Sequence, residues 1–109
     1  MENKKLPSAY RRFAGEHPRI IAAYEALGDA TLGDGPLDRR TAELVKIGIA
    51  VGARLEGAVH AHVRRAQDAG ATPDDVRHAI RLATTTVGFP TMMAALAWAN
   101  DVLAPEPKA

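Results

Sequence analysis

Helical periodicity is the feature that most constrains the fold of this chain. Every segment with a readable hydrophobic period repeats at the spacing of an α-helix, and no stretch alternates over the roughly 4–8 residues of a half-buried strand. Alanine, the strongest helix former, is the commonest residue. The sequence therefore predicts an all-α fold, a bundle of five to six helices with short connections.

Prolines, glycines and capping residues mark the predicted helix boundaries. The clearest starts are Asp38, which suits an N-cap, and Thr72, which precedes Pro73. The first four helices are predicted over about residues 7–14, 18–31, 38–54 and 56–69. A fifth begins at Thr72, and a break at 88–90 separates it from a sixth over about 91–103. We predict an N-terminal short helix or arm over residues 1–17, a helical domain over 18–103 and a disordered tail over 104–109.

The third predicted helix is apolar on nearly all sides. From Leu44 to Ala53 its only charged residue is Lys46. A helix of this kind is normally buried, and five short neighbours give it little cover. We therefore expect this helix to be buried and the chain to form a homo-oligomer.

Length, charge and cysteine content exclude several classes of function. The length of 109 residues suits a single domain. The 14 Lys+Arg and 13 Asp+Glu residues leave a net charge of +1, and this near balance predicts no nucleic-acid partner. No apolar run reaches the roughly 18–20 residues that span a bilayer, and the amino terminus lacks a secretory signal, so we expect no membrane partner and a cytoplasmic protein. The absence of cysteine excludes thiol nucleophiles, thiolate metal sites and dithiol redox chemistry.

Two histidines and a glutamate are the candidate chemical groups. His62 shares a helical stripe with Val59 and Ala66, so it is either a core histidine or a general acid or base. Glu43 either forms ion pairs within its own helix or orients His62 across a helix–helix contact. His60 lies two residues from His62, about 200° away around a helix, so we predict no metal site at this pair.

Several landmarks, taken in order, resemble the carboxymuconolactone decarboxylase / AhpD-like family. They are Gly-Pro-Leu-Asp at 35–38, Glu-Leu-Val at 43–45, His-Ala-His-Val-Arg-Arg-Ala at 60–66, Ala-Gly-Ala-Thr-Pro-Asp-Asp-Val at 69–76 and Gly-Phe-Pro at 88–90. The resemblance covers about Pro18 to Leu103. It implies an all-α, AhpD-like helical bundle that assembles as trimers or hexamers, with a site near a subunit boundary.

The resemblance also assigns site residues. Family members with alkylhydroperoxidase activity carry a Glu, then Cys-x-x-Cys, then a His, and these positions fall on Glu43, Leu55, Ala58 and His62. The proton-handling pair is thus present while both sulfurs are absent, which excludes the thiol-dependent peroxidase reaction. The decarboxylase branch also lacks the dithiol, and its Tyr-x-Gly-x-Pro run corresponds to residues 86–90, where Thr86 takes the place of the tyrosine.

Two hypotheses follow for the function. In the first, the chain is a cofactor-free, metal-free decarboxylase-like enzyme for a small carboxylated or lactone substrate, with His62 as general acid/base and Glu43 as its orienting residue. Arg54 or Arg81 would hold the substrate carboxylate, because a guanidinium binds a carboxylate through two hydrogen bonds, and Thr86 would line the substrate site. In the second, the chain is a catalytically silent oligomeric scaffold or small-molecule binder.

Overall fold

A computed structural model of the chain describes residues 6–105, and these residues form six α-helices and no strand. The helices are α1 (Ser8–Glu16), α2 (Pro18–Leu32), α3 (Arg39–Gly52), α4 (Glu56–Asp68), α5 (Pro73–Arg81) and α6 (Phe89–Asn100), and a 3₁₀ helix follows α5 at Leu82–Thr85. The predicted all-α fold is confirmed. No helix within 6–105 is both long and apolar enough to cross a membrane.

The end of the fifth helix and the limits of the sixth differ from the prediction. The α-helical part of the fifth stops at Arg81, and the sixth runs over Phe89–Asn100, starting and ending before the predicted 91–103. Threonine hydroxyls explain the early end: Thr84 donates to the carbonyl of Arg81 (2.6 Å) and Thr86 to that of Ala83 (3.1 Å), bonds that compete with continued helix. Pro90 occupies the first turn of α6, where its missing N–H costs nothing.

The described chain divides into two compact units at Leu37. The first contains α1 and α2, which pack on each other and contain no buried residue. The division between these units lies at residue 37, and the domain boundary after residue 17 stays a prediction. Residues 1–5 of the predicted arm and residues 106–109 of the predicted tail lie outside the described residues.

The second unit holds the hydrophobic core. Helix α3 packs on α4 and α5, and α6 packs on the same two helices. The largest fully buried side chains are Ile47, Val51, Val59, Val63, Val76 and Ile80. They come from α3, α4 and α5, so these three helices enclose the centre of the core, and Met92, Ala95 and Ala99 of α6 complete it.

Only one face of α3 is buried within the described chain, so the enclosure of the whole helix stays a prediction that depends on self-association. Ile47, Ala50 and Val51 face the core, whereas Val45 and Ile49 are 47% and 66% exposed. The physical reason is that α4 and α5 cover one side of α3 and leave its opposite apolar side open within the unit. An apolar face of this kind is typical of a surface that another protein molecule covers.

Side-chain caps fix the starts of α3 and α5. The Asp38 carboxylate accepts from the backbone N–H of Thr41 (2.7 Å), and this bond lowers the pKa of Asp38 below its ordinary value. Thr72 and Asp75 form a reciprocal capping box at the start of α5. Both predicted helix starts are thereby confirmed.

Helices α3 and α4 end in the same hydrogen-bonded motif but with different residues in the left-handed position. After α4, the N–H groups of Gly70 and Ala71 bond back into the last turn, and Gly70 has φ 98°. After α3, Arg54 and Leu55 make the equivalent bonds, and Arg54 has φ 59°. A side-chain-bearing residue in this region is strained by roughly 1–2 kcal/mol.

Substitutions at Arg54 and at Gly70 should change the free energy of unfolding in opposite directions. We expect Arg54→Gly to raise the free energy of unfolding by about 0.5–1 kcal/mol, the relief of strain exceeding the added entropy of the unfolded chain. Gly70→Ala should lower it by about 1 kcal/mol through strain alone, because no atom lies within 4 Å of the added Cβ. Urea denaturation measures both changes, and a destabilised Arg54→Gly variant would contradict the strain at this position.

Candidate functional site

A carboxylate of α3 and an imidazole of α4 meet where these two helices pack together. The Glu43 Oε1 atom lies 2.7 Å from Nδ1 of His62, a short charge-assisted hydrogen bond. Glu43 lies on the same face of α3 as Ile47, and His62 neighbours Val63 on α4. The core packing of the two helices therefore holds both side chains in place.

The two partners differ in their exposure. The side chain of Glu43 is 6% exposed and that of His62 is 19% exposed. Among the described residues, no fully buried side-chain nitrogen or oxygen lacks a hydrogen-bond partner. Because Nε2 of His62 has no such partner, solvent reaches this atom. The pair therefore consists of a buried carboxylate, an imidazole bound to it through one nitrogen, and a second nitrogen that is accessible to solvent.

This arrangement suits proton transfer. When Glu43 is ionised it accepts from Nδ1–H, which leaves the lone pair of the neutral imidazole on Nε2, where it can act as a base. Once protonated, the same Nε2 can donate to a group above it. The Glu43 carboxylate contacts His62 across the helix–helix contact, which is the geometry that the hypothesis of an orienting carboxylate requires. Its orienting role stays a prediction.

The second histidine of α4 has a different partner, which sequence reasoning missed. Nε2 of His60 lies 3.0 Å from Oδ2 of Asp101, the residue that caps the C-terminus of α6. His60 and His62 thus bind carboxylates of two different helices, so they do not form a joint site. His60 and Asp101 are 41 positions apart in the sequence, so no local sequence signal indicates this contact.

The predicted substrate-binding residues lie around this second unit but not at the pair. Arg54 and Arg81 are exposed, and within residues 6–105 neither guanidinium forms an ion pair or a side-chain hydrogen bond. Thr86 donates its hydroxyl to the Ala83 carbonyl. The structure therefore shows Glu43 and His62 in contact, and within residues 6–105 none of the other three predicted site residues forms a hydrogen bond or ion pair with either of them.

An open groove of about 460 Å³ runs between α3 and α5. Its lining includes Thr86, the apolar Leu44 and Leu82, and Asp75, whose pKa is lowered by the backbone N–H of Thr72 and by the Arg40 guanidinium at 2.7 Å. A second open groove of about 600 Å³ lies in the first unit, along residues 16–23. Glu43 and His62 line neither groove.

A family model and a solved structure that resemble this chain both belong to the same protein family. The model of the carboxymuconolactone decarboxylase family matches residues 18–101. A crystal structure of the apo form of a carboxymuconolactone decarboxylase family protein from Legionella pneumophila superposes with a TM-score of 0.72 at 25% identity, covering 85% of this chain and 83% of that one. An uncharacterized protein of Haemophilus influenzae is 37% identical over 61 residues, 56% of this chain. The match spans about half of that relative, 54% of its length.

Proposed function

Because the chain belongs to the carboxymuconolactone decarboxylase family, we propose that it is a cofactor-free acid–base catalyst of the carboxy-lyase type. Its substrate would be a small carboxylated compound or lactone. The family assignment gives the fold, whereas the site and the reaction are inferred from the side chains. The absence of cysteine separates this activity from the thiol-dependent peroxidase reaction.

The observation that carries the proposal is the geometry of His62. Its Nδ1 is held at 2.7 Å by a buried carboxylate while its Nε2 is open to solvent. A histidine that served only the core would bury both nitrogens against protein partners. An imidazole with one fixed and one open nitrogen can accept a proton from a bound molecule and return it.

The proposed reaction follows from this geometry. As the carbon–carbon bond to a substrate carboxylate breaks, carbon dioxide leaves and the bonding electron pair stays on the substrate carbon. The protonated His62 then gives its Nε2 proton to that carbon, and solvent restores the proton. Glu43 would hold the ring in place by accepting from its Nδ1–H. In a lactone substrate the same Nε2 atom would instead exchange a proton with the ring carbon next to the carbonyl.

The substrate's carboxylate requires a cation, and we propose Arg54 or Arg81 for this role. Both guanidinium groups are exposed and carry no ion pair among the described residues. Arg54 is also held in a strained backbone conformation, a feature that concentrates at functional sites. Thr86 would contact the rest of the substrate from the groove that it lines.

Self-association is part of this proposal. Val45, Ile49, Leu82 and Phe89 are large apolar side chains of the second unit with 47–66% of their surface exposed. Exposed apolar surface of this extent favours burial against another copy. We propose a trimer or a hexamer in which a neighbouring chain helps to enclose the open side of His62.

The experiment compares wild-type protein with a His62→Asn variant on a panel of β-keto acids and carboxylated lactones. Asparagine keeps an amide N–H near the position of Nδ1, so it preserves the hydrogen bond to Glu43 while removing the proton carrier. We expect the variant to lose about 10²–10⁴-fold in turnover, measured as carbon dioxide release or as loss of the lactone's absorbance.

The matched control is His17→Asn, which changes an exposed histidine of the first unit, outside the groove that Thr86 lines. This variant should keep wild-type turnover. If His62→Asn retained activity within a few-fold of the wild type, His62 would not be the proton carrier and the proposed mechanism would be wrong.

A second candidate function is that of a catalytically silent oligomeric scaffold or small-molecule binder. The observation in its favour is that Glu43 and His62 line neither of the two grooves described above. A protein that forms a stable oligomer but turns over no member of the panel would support this alternative.

A further inference from the structure

A cluster of metal-ligating side chains lies on the side of α4 away from His62. Glu56 and His60 are contributed by α4, and Asp101 by the C-terminal end of α6. One ligand atom from each residue lies within 4.8 Å of the other two. Because residues two apart on a helix point about 200° from each other, this cluster is separate from the Glu43–His62 pair.

The fold explains why these three side chains converge. Glu56 and His60 are four residues apart on α4, the spacing that stacks two side chains on one helix face. Helices α4 and α6 pack together, and this packing brings Asp101 to within 3.0 Å of His60. His60 is 24% exposed and Asp101 60% exposed, so the histidine is anchored while the carboxylates can adjust.

The position of Asp101 independently favours a cation. Asp101 is the C-cap of α6, where the unsatisfied carbonyl groups carry the negative end of the helix dipole. A carboxylate at this end is unfavourable, and a bound cation would reverse that effect.

We propose that Glu56, His60 and Asp101 bind one divalent cation of the Zn²⁺ type. An imidazole nitrogen and two carboxylate oxygens are zinc ligands, and the two negative charges balance the ion. At zinc–ligand bonds of about 2.0–2.2 Å, tetrahedral ligands lie roughly 3.4 Å apart. Separations of 4.8 Å or less reach this value through small rotations of the exposed carboxylates. Water would fill the fourth position.

The ion would connect the start of α4 to the end of α6. This inference does not rest on the proposed catalytic function, because the residues, the helix face and the chemistry are all different. Mg²⁺ and Ca²⁺ bind through oxygen ligands, so the imidazole predicts a preference for Zn²⁺ or Co²⁺.

The test is titration of the untagged full chain with ZnSO4 by isothermal calorimetry, with MgCl2 as the comparison. We expect one Zn²⁺ per chain and no comparable Mg²⁺ binding. His60→Gln retains an amide N–H that can reach Asp101 but lacks the imidazole nitrogen, and it should weaken Zn²⁺ binding at least tenfold. Glu56→Gln, at an exposed position where misfolding is not expected, should also weaken it at least tenfold.

His78→Gln is the matched control, because this exposed histidine lies outside the cluster and its loss should leave Zn²⁺ affinity unchanged. Wild-type protein that binds no Zn²⁺, or Mg²⁺ as tightly as Zn²⁺, would overturn the proposal. So would cluster variants that weaken Zn²⁺ binding less than tenfold. Circular dichroism verifies that each variant is folded before it is titrated.

Discussion

Replacing His62 with alanine is expected to lower the free energy of unfolding by about 3 kcal/mol. The substitution leaves the carboxylate of Glu43 in a site where its side chain is 6% exposed, without the imidazole that lies 2.7 Å away. Removal of one partner from a buried ion pair typically costs 3–5 kcal/mol, and the partial exposure of His62 places this case at the lower end. Thermal denaturation should show the loss as a decrease in melting temperature of roughly 12–24 °C.

A double variant separates the cost of the unpaired carboxylate from that of the lost packing. Glu43→Leu/His62→Leu removes both polar groups and retains side-chain volume, so its stability should return to within about 1 kcal/mol of the wild type. His78→Ala, at an exposed position, should change stability by no more than about 0.5 kcal/mol. A double variant as unstable as His62→Ala would show that the buried carboxylate is not the cause.

The second large effect is expected at Ile47, on the buried face of α3. Ile47 is fully buried in the core, so Ile47→Ala removes apolar contacts and leaves a cavity, at a cost of about 3 kcal/mol. Ile49 lies two residues further along the same helix and is 66% exposed. In the isolated chain, Ile49→Ala should cost no more than about 0.5 kcal/mol. Urea denaturation of both variants measures the difference.

The same pair of variants also tests self-association. If copies of the chain cover the outer face of α3, Ile49→Ala should shift the protein toward the monomer in sedimentation measurements, whereas the Ile49→Ala monomer should unfold like the wild-type monomer. Equal destabilisation by the two substitutions in dilute monomer would contradict the burial that distinguishes Ile47 from Ile49.

Local sequence signals predicted much of this fold because they act within one helix turn. Asp38 and Thr72 accept backbone hydrogen bonds three residues ahead, so their effect is readable from the sequence. The end of α5 was harder to predict, since the side-chain bonds of Thr84 and Thr86 compete with helical bonds of similar strength. The burial of α3 on one side only depends on how its neighbours are arranged, which no local pattern encodes.

The candidate site was predictable only in part. The resemblance to the family named Glu43 and His62, and the structure places their side chains in contact. Arg54 and Arg81 were predicted to hold the substrate carboxylate because a guanidinium can bind a carboxylate. The sequence pattern of a helix does not show whether an arginine lies beside a given histidine. The contact between His60 and Asp101 depends on the packing of α4 against α6, so only a three-dimensional structure reveals it.

The two histidines of α4 have a mechanical consequence. The hydrogen bond of His62 holds α4 to α3, and the hydrogen bond of His60 holds α4 to the end of α6. Rotation of α4 about its axis, or a shift of α4 by one residue along that axis, would break both hydrogen bonds at once. The orientation of the His62 ring should therefore tolerate changes in the surrounding side chains that leave both hydrogen bonds intact.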